Sequence, residues 1–165
     1  MAKALVLYHS QVHGNTAALA EAVISGLKEG GCSVDSHNTN ESRYNIDRFP
    51  QYDCVAIGSP DYFSYIAGGL KMFLDDHWVA IRFQKKTGFT NKPYALFYTH
   101  GRGGRIKDVI GRLFGNIGTL IGEPVGCQES QASGRRRAGI RPERSSGAVS
   151  ARRHRRGLCA SSYFG

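Results

Sequence analysis

The chain has no apolar run long enough to span a lipid bilayer, and this absence excludes a transmembrane helix at the level of sequence. Two nucleotide-binding signatures are also missing. The 165 residues contain no Gly-Lys pair, which excludes the triphosphate-binding loop that ends in Gly-Lys-Ser/Thr. The Gly-x-Gly-x-x-Gly fingerprint does not follow the first apolar segment. Met1-Ala2-Lys3 leads directly into that segment, so we expect no signal peptide and predict a cytoplasmic protein without a membrane partner.

The four cysteines include no Cys-x-x-Cys pair of the kind that binds zinc or carries redox chemistry. Two of them lie inside apolar runs, where cysteine behaves as a small hydrophobic residue. We therefore expect reduced thiols without a catalytic role at Cys32, Cys54, Cys127 and Cys159.

The net charge of +9 is confined to one end of the chain. Residues 131–165 hold nine arginines and one carboxylate, whereas residues 1–130 hold 13 basic and 12 acidic side chains. Arguments from charge about a nucleic-acid partner therefore apply to the C-terminal segment alone.

The stretch from Lys3 to Leu27 predicts a strand, a polar loop and a helix. The continuous apolar run 4–8 is typical of a buried parallel strand, and apolar residues recur at helical spacing over 19–27. The first N–H groups of a helix have no partner within it and lie at the positive end of its dipole, so neutral donors there predict a site for a terminal monophosphate. The alternative is an ordinary capped turn. The loop supplies Ser10, Gly14, Asn15 and Thr16.

Two more predicted strands end in unusual loops. Strand 53–58 is followed by a loop with three aromatic rings that can stack on a flat ring system, and strand 94–98 by the glycine-bearing loop 99–104. The alternative for the aromatic rings is core filling beneath a loop. Because ligands of doubly wound parallel sheets bind outside the carboxyl ends of the strands, we expect loops 9–16, 58–65 and 99–104 to form one site. A phosphorylated planar heterocycle fits that combination.

Other patterns complete an α/β prediction. A less apolar edge strand is predicted at 32–38, and residues 39–52 are expected to form a loop or one short helix over the sheet. A glycine pair inside the next helix predicts a close approach to its backbone. The remaining predicted elements are helix 66–76, a connection over 78–92, helix 106–117 and a short strand over 124–127.

Three motifs in this order resemble the flavodoxin-like family of FMN-binding proteins, in particular its branch of archaeal and bacterial flavodoxins and NAD(P)H:quinone reductases. The resemblance covers about residues 1–127 and depends on segments 8–16, 58–68 and 99–104. It implies a five-stranded parallel sheet in the order 2-1-3-4-5 and FMN as the cofactor. The glycine of the first loop lies four positions after Ser10 instead of three, which leaves open whether Gln11 or Val12 supplies a phosphate donor. The implied site residues are Ser10, Gln11, His13, Gly14, Asn15 and Thr16 for the phosphate, Pro60, Asp61, Tyr62, Phe63, Ser64 and Tyr65 for the ring, and Thr99, His100, Gly101 and Gly104 for the flanking loop.

The resemblance also implies the chemistry, since a flavin accepts and donates electrons or hydride while the protein binds and orients it. The near-neutral body with Arg102, Arg105 and Lys107 beside the third loop favours an NAD(P)H-dependent reductase of quinones or similar acceptors over a low-potential electron carrier. His100 is a candidate proton donor to a bound quinone. We expect no metal site, because His9, His13 and His100 lack a carboxylate or cysteine at ligand spacing.

The sequence divides into a domain over 1–127 and an Arg/Gly/Ser-rich tail over 128–165. No amphipathic stripe is found in the tail, although the resembling family places its final helix there. A sheet without that helix would expose apolar surface, which destabilises the domain or favours a homo-oligomer. Three explanations stay open for the tail: an arm that binds nucleic acid, disordered sequence, or a lost reading frame near 128–133, which we favour. The corresponding alternatives to the reductase are a scaffold with a nucleic-acid-binding tail and a truncated product without cofactor.

Overall fold

The computed structural model describes residues 1–101 and 105–128 and the backbone of 141–142. These residues form an α/β domain in which one sheet lies between helices. The helices are α1 (Asn15–Glu29), α2 (Gly68–Arg82) and α3 (Ile106–Leu113), with a 3-10 helix at Ile46–Gln51. The strands are β1 (Lys3–Tyr8), β2 (Ser33–Asn38), β3 (Cys54–Pro60), β4 (Lys92–His100), β5 (Gly118–Leu120), β6 (Val125–Gln128) and β7 (Arg141–Pro142).

The sheet confirms the predicted doubly wound fold and its order 2-1-3-4-5. Strands run in the order β2-β1-β3-β4-β6-β7, with β5 also pairing with β4. All pairs are parallel except the antiparallel pair of β6 and β7. The fifth strand predicted over 124–127 is β6, which pairs with the end of β4. β5, which pairs with the beginning of β4, was not predicted. Gly122, at a φ of 72°, lies in the turn between β5 and β6.

Burial explains why β1 is central. Residues 4–7 are at most 1% exposed, which confirms the strand predicted from their continuous apolar run. Alternate side chains enter two cores on opposite faces. One face packs against α1 through Ala4 and Val6, and the other packs Leu5 and Leu7 beneath α2 and α3. Each large apolar side chain so buried contributes roughly 1.5–3 kcal/mol.

The close approach predicted at the glycine pair of α2 is confirmed for Gly69. A Cβ at Gly69 would lie 2.5 Å from Oγ1 of Thr39, whereas one at Gly68 would meet nothing within 4 Å. Thr39 immediately follows β2, so the start of α2 packs directly on the carboxyl end of that strand.

Several boundaries differ from the predictions. Helix α2 continues to Arg82, so the connection predicted over 78–92 is wrong for its first five residues. The guanidinium of Arg82 lies 4.7 Å from the ring centroid of Trp78, a cation–π contact on the exposed face of the added turn. Helix α3 ends at Leu113, earlier than predicted. The short helix expected between 39 and 52 is the 3-10 helix.

The cysteine prediction is confirmed in part. Cys54 is a buried free thiol, and Cys127 is buried in the core. Cys32 is disulfide-bonded, so the expectation of a reduced thiol is wrong there. Cys159 lies outside the described residues.

Among the described residues, no helix is both long enough and apolar enough to cross a membrane. Predictions for the tail concern residues that lie outside the described ones, apart from Gln128 and the backbone of β7. A lost reading frame, a nucleic-acid-binding arm and the absence of a final helix therefore stay predictions.

Candidate functional site

Loops from three neighbouring strands meet at the carboxyl edge of the sheet, because β1, β3 and β4 lie side by side. Two contacts join them. Oγ1 of Thr16 lies 2.8 Å from Oγ1 of Thr99, which connects the first loop to the third across 83 residues of sequence. The rings of His9 and Tyr62 meet edge to face at 6.2 Å between centroids, which connects the first loop to the second.

The first loop delivers the N-terminus of α1 to this edge. Gly14 is the N-cap, with φ 71° and ψ 6°, a left-handed conformation that favours glycine. Glycine has no side chain to cap the helix, and Ser10 takes that role, since its Oγ accepts the N–H of Ala17 at 3.2 Å. Within the described part of the chain, the N–H groups of Asn15 and Thr16 make no hydrogen bond. These donors stay available to an anion at the positive end of the helix.

A cleft of about 180 Å³ opens in front of these donors. Its size suits a phosphate group. The structure brings eight of the predicted site residues to its wall. Val12 also lines the cleft and is 71% exposed, so the choice between Gln11 and Val12 as a phosphate donor stays open. The predicted residues that line it are Ser10, Gln11, His13, Gly14, Asn15, Thr16, Pro60 and Tyr62.

The second loop forms a tight reversal between Tyr62 and Tyr65, whose backbones bond to each other at 3.1 and 3.0 Å. Phe63 and Ser64 occupy the two central positions with φ of 56° and 61°. Left-handed backbone is unfavourable for such residues, at roughly 1–2 kcal/mol each. The Phe63 ring is fully exposed, so it does not fill the core, and neither is it folded over the cleft.

The carboxylate of Asp61 is engaged within the protein. One oxygen accepts the N–H of Ser64 at 2.8 Å, and the other accepts the N–H of Ile106 at 3.2 Å, at the start of α3. Asp61 was predicted to contact a ring. The geometry gives its side chain a structural task, which is to hold the second loop against the first turn of α3.

The third loop is described in part. Thr99 and His100 are 2% and 4% exposed, and Gly101 is exposed. The His100 ring packs on Tyr98 with 5.8 Å between centroids, and the amide of Gln128 donates to the Gly101 carbonyl at 3.2 Å. Gly104, predicted to flank the ring, lies outside the described residues together with Arg102.

The electrostatics of the first loop are those of a neutral site. Burial lowers the pKa of His9 below its ordinary value, which favours the uncharged imidazole. Nδ1 of that ring lies 3.0 Å from Oγ1 of Thr39. Among the described residues that line the cleft, none is a lysine or an arginine, so these residues offer an anion N–H and hydroxyl donors. Across residues 1–101 and 105–128, no cluster of three histidine, cysteine or acidic side chains is arranged to hold a metal ion.

Asn38 is a residue of this edge that the sequence prediction missed. Its side-chain amide makes two hydrogen bonds to the backbone of Ser10. Strand pairing places Asn38 opposite Tyr8, so the order of the sheet, once predicted, was the signal that could have found it.

No protein-family model matches the chain. The chain is similar in sequence to curated proteins called NAD(P)H dehydrogenase (quinone). The one from Archaeoglobus fulgidus is 30% identical over 114 residues, which covers 53% of this chain and 59% of the relative. The one from Cupriavidus metallidurans is 32% identical over 93 residues, which covers 46% of each chain. The chain thus spans about half the length of the curated relatives it matches.

Solved structures share the fold. A flavodoxin from the domain Archaea superposes with a TM-score of 0.61 at 22% identity, covering 78% of this chain and 86% of that one. A WrbA-like flavodoxin from Agrobacterium tumefaciens gives a TM-score of 0.63 at 19% identity, covering 81% and 87%. The strand order and these structures together show that the chain has the flavodoxin-like fold.

Proposed function

We propose that the chain binds FMN at the carboxyl edge of its sheet and acts as an NAD(P)H-dependent reductase of quinones or similar acceptors. The observation that carries the proposal is the cleft in front of α1, where helix N–H groups without a partner in the described chain face a space lined by the loop after β3. The curated relatives are named for this activity.

Uncharged donors would hold the phosphate. The N–H groups of Asn15 and Thr16 lie at the N-terminus of α1, the positive end of its dipole, and Ser10 and Asn15 line the same cleft. A hydrogen bond to a charged acceptor contributes roughly 1.5–3 kcal/mol, so four such bonds anchor a phosphate without a lysine or arginine. The lowered pKa of His9, which favours its uncharged form, is consistent with this arrangement.

The second loop would hold the ring. Tyr62 lines the cleft, and the same loop carries the exposed rings of Phe63 and Tyr65, on which a flat heterocycle could stack. Bound FMN would supply the redox chemistry, by which NAD(P)H and a proton reduce a quinone to a hydroquinone and leave NAD(P)⁺. His100 is buried at the end of β4 and stays a candidate proton donor.

A visible-absorbance and fluorescence titration of the purified chain with FMN and with riboflavin tests the binding. We expect about one FMN per chain and weaker binding of riboflavin, which lacks the phosphate. Ser10→Ala should weaken FMN binding at least tenfold, as expected for about 1.5 kcal/mol, and leave riboflavin binding unchanged. Ser36→Ala, on the exposed side of β2, is the matched control. Folded protein that takes up no FMN contradicts the proposal.

Oxidation of NADH or NADPH by the FMN-loaded chain, with a quinone present, tests the activity separately. Turnover that depends on the quinone is the expected result. A chain that binds FMN but oxidises neither nucleotide would retain the cofactor assignment and lose the reductase assignment.

A further inference from the structure

The amide of Asn38 holds the backbone of the first loop from the side of β2. Its Oδ1 accepts the N–H of Ser10 at 3.0 Å, and its Nδ2 donates to the carbonyl of Ser10 at 3.1 Å. The two residues are 28 positions apart in sequence. A side-chain amide can both accept and donate in this way, whereas a carboxylate only accepts and an alanine does neither.

Neighbouring contacts fix the orientation of that amide. Oδ1 also accepts the N–H of Asn40 at 3.2 Å, and Nδ2 lies 3.3 Å from Oε1 of Glu41. The oxygen therefore faces two donors and the nitrogen faces two acceptors, which leaves the flipped orientation unfavourable.

The residue after Asn38 holds the first loop as well. The N–H of Thr39 donates to the carbonyl of Tyr8 at 2.8 Å, and its hydroxyl contacts His9. Thr39 is in turn pressed against the backbone of α2 at Gly69. The corner that ends β2, defined here as residues 38–39, thus connects the start of α2 to the first loop.

Ser10 has two tasks that depend on its backbone orientation. Its Oγ caps α1 through the N–H of Ala17, and it lines the cleft in front of the helix. Rotation of the Ser10 backbone would move this hydroxyl away from both. A clamp on its N–H and carbonyl therefore determines where the hydroxyl lies.

We propose that Asn38 is a positioning residue for the phosphate subsite, which sets the backbone of Ser10 so that its hydroxyl and the N–H groups of α1 face one anion. The inference rests on the proposed binding of FMN. It predicts that Asn38 affects the discrimination between FMN and riboflavin, because only the phosphate reaches this part of the cleft.

The test compares dissociation constants for FMN and for riboflavin in Asn38→Ala, Asn38→Asp and the unchanged chain, with circular dichroism to establish folding. Asn38→Ala should weaken FMN binding by about tenfold, the loss of one hydrogen bond to a charged group, and leave riboflavin binding unchanged. Asn38→Asp keeps the acceptor for the Ser10 N–H but adds negative charge near the phosphate, so we expect it to weaken FMN binding at least as much. Asn38→Gln, which adds no charge but moves the amide one methylene away from its place beside Ser10, keeps the test decisive if the alanine variant does not fold, and it should also weaken FMN binding relative to riboflavin.

Asn45→Ala is the matched control. Asn45 uses its side chain to accept the N–H of Asp47 at the start of the 3-10 helix, away from the cleft, so its removal should lower stability without changing the FMN-to-riboflavin ratio. An unchanged ratio in folded Asn38 variants of a chain that binds FMN overturns the positioning role alone. An unchanged chain that takes up no FMN overturns the proposed function and the positioning role together.

Discussion

The hydroxyl pair that joins the first and third loops gives a prediction that needs no cofactor. Thr16 and Thr99 are 3% and 2% exposed, and their hydroxyl oxygens are 2.8 Å apart. Replacing either residue with valine keeps the shape and leaves the other hydroxyl buried without this partner. Such a loss costs about 1–3 kcal/mol, whereas removing both groups is less costly than the sum of the two single losses.

We therefore expect Thr16→Val and Thr99→Val each to lower the free energy of unfolding by about 1–3 kcal/mol, and the double variant to lose about 1 kcal/mol less than their sum. Urea denaturation followed by circular dichroism measures all four proteins. Thr119→Val, at an exposed position of β5, should change stability by less than about 0.5 kcal/mol. Single losses that simply add would refute the contact and, with it, the convergence of these two loops.

Three further predictions concern packing, strain and pH. Gly58→Ala should destabilise by at least about 1–3 kcal/mol in thermal melts, because the new Cβ would lie 2.1 Å from the ring of Phe97; a melt like that of the unchanged chain would contradict this close packing. Ser64→Gly should raise the free energy of unfolding by about 0.5–1 kcal/mol in urea titrations. Glycine removes the cost of left-handed backbone, and this gain exceeds the loss from the greater entropy of its unfolded state. A lower stability would show that this turn is not strained. Burial lowers the pKa of His77, so its contribution to stability is present above the ordinary value of 6.5 and is lost as the pH falls below it. His77→Phe removes the donor to the Phe89 carbonyl but should flatten the decline of the free energy of unfolding between pH 7 and 5. An equally steep decline in this variant would exclude His77 as a cause.

The strand-loop-helix unit at the N-terminus was predictable because each of its parts is a local property. Residues 4–7 are continuously apolar since β1 is buried on both faces, and Gly14 occupies the backbone conformation that favours glycine. Strand order came from the resemblance to a known family. Convergence of the loops was predicted independently, because ligands of doubly wound sheets bind outside the carboxyl ends of the strands.

Elements held by backbone pairing were not predictable. β5 contains three residues and has no apolar alternation that would identify it in the sequence. It is held by backbone pairing with Lys92–Tyr94, which begins at Gly118. The last turn of α2 was missed for a different reason. Trp78 and Val79 are about 40% exposed, so they do not extend the apolar stripe that identified the earlier turns.

Roles that depend on a neighbour across the sheet could not be predicted from the sequence either. In the sequence, Asn38 is a polar residue at the end of the less apolar strand β2, and nothing there distinguishes it from its neighbours. The pairing of β2 with β1 places it beside Ser10. Asp61 resembles a ligand contact in sequence, yet its carboxylate serves the second loop and α3. Such assignments need coordinates because hydrogen-bond partners are not a property of the residue type.

The most direct test of the central claim is a titration of the ¹⁵N-labelled chain with FMN, followed by amide chemical shifts. We expect the largest changes at the N–H groups of Gly14, Asn15 and Thr16, and we expect riboflavin to leave these three amides almost unchanged. Shifts of these amides that are equal for the two flavins, or the absence of any change there on addition of FMN, would contradict a phosphate site at the N-terminus of α1.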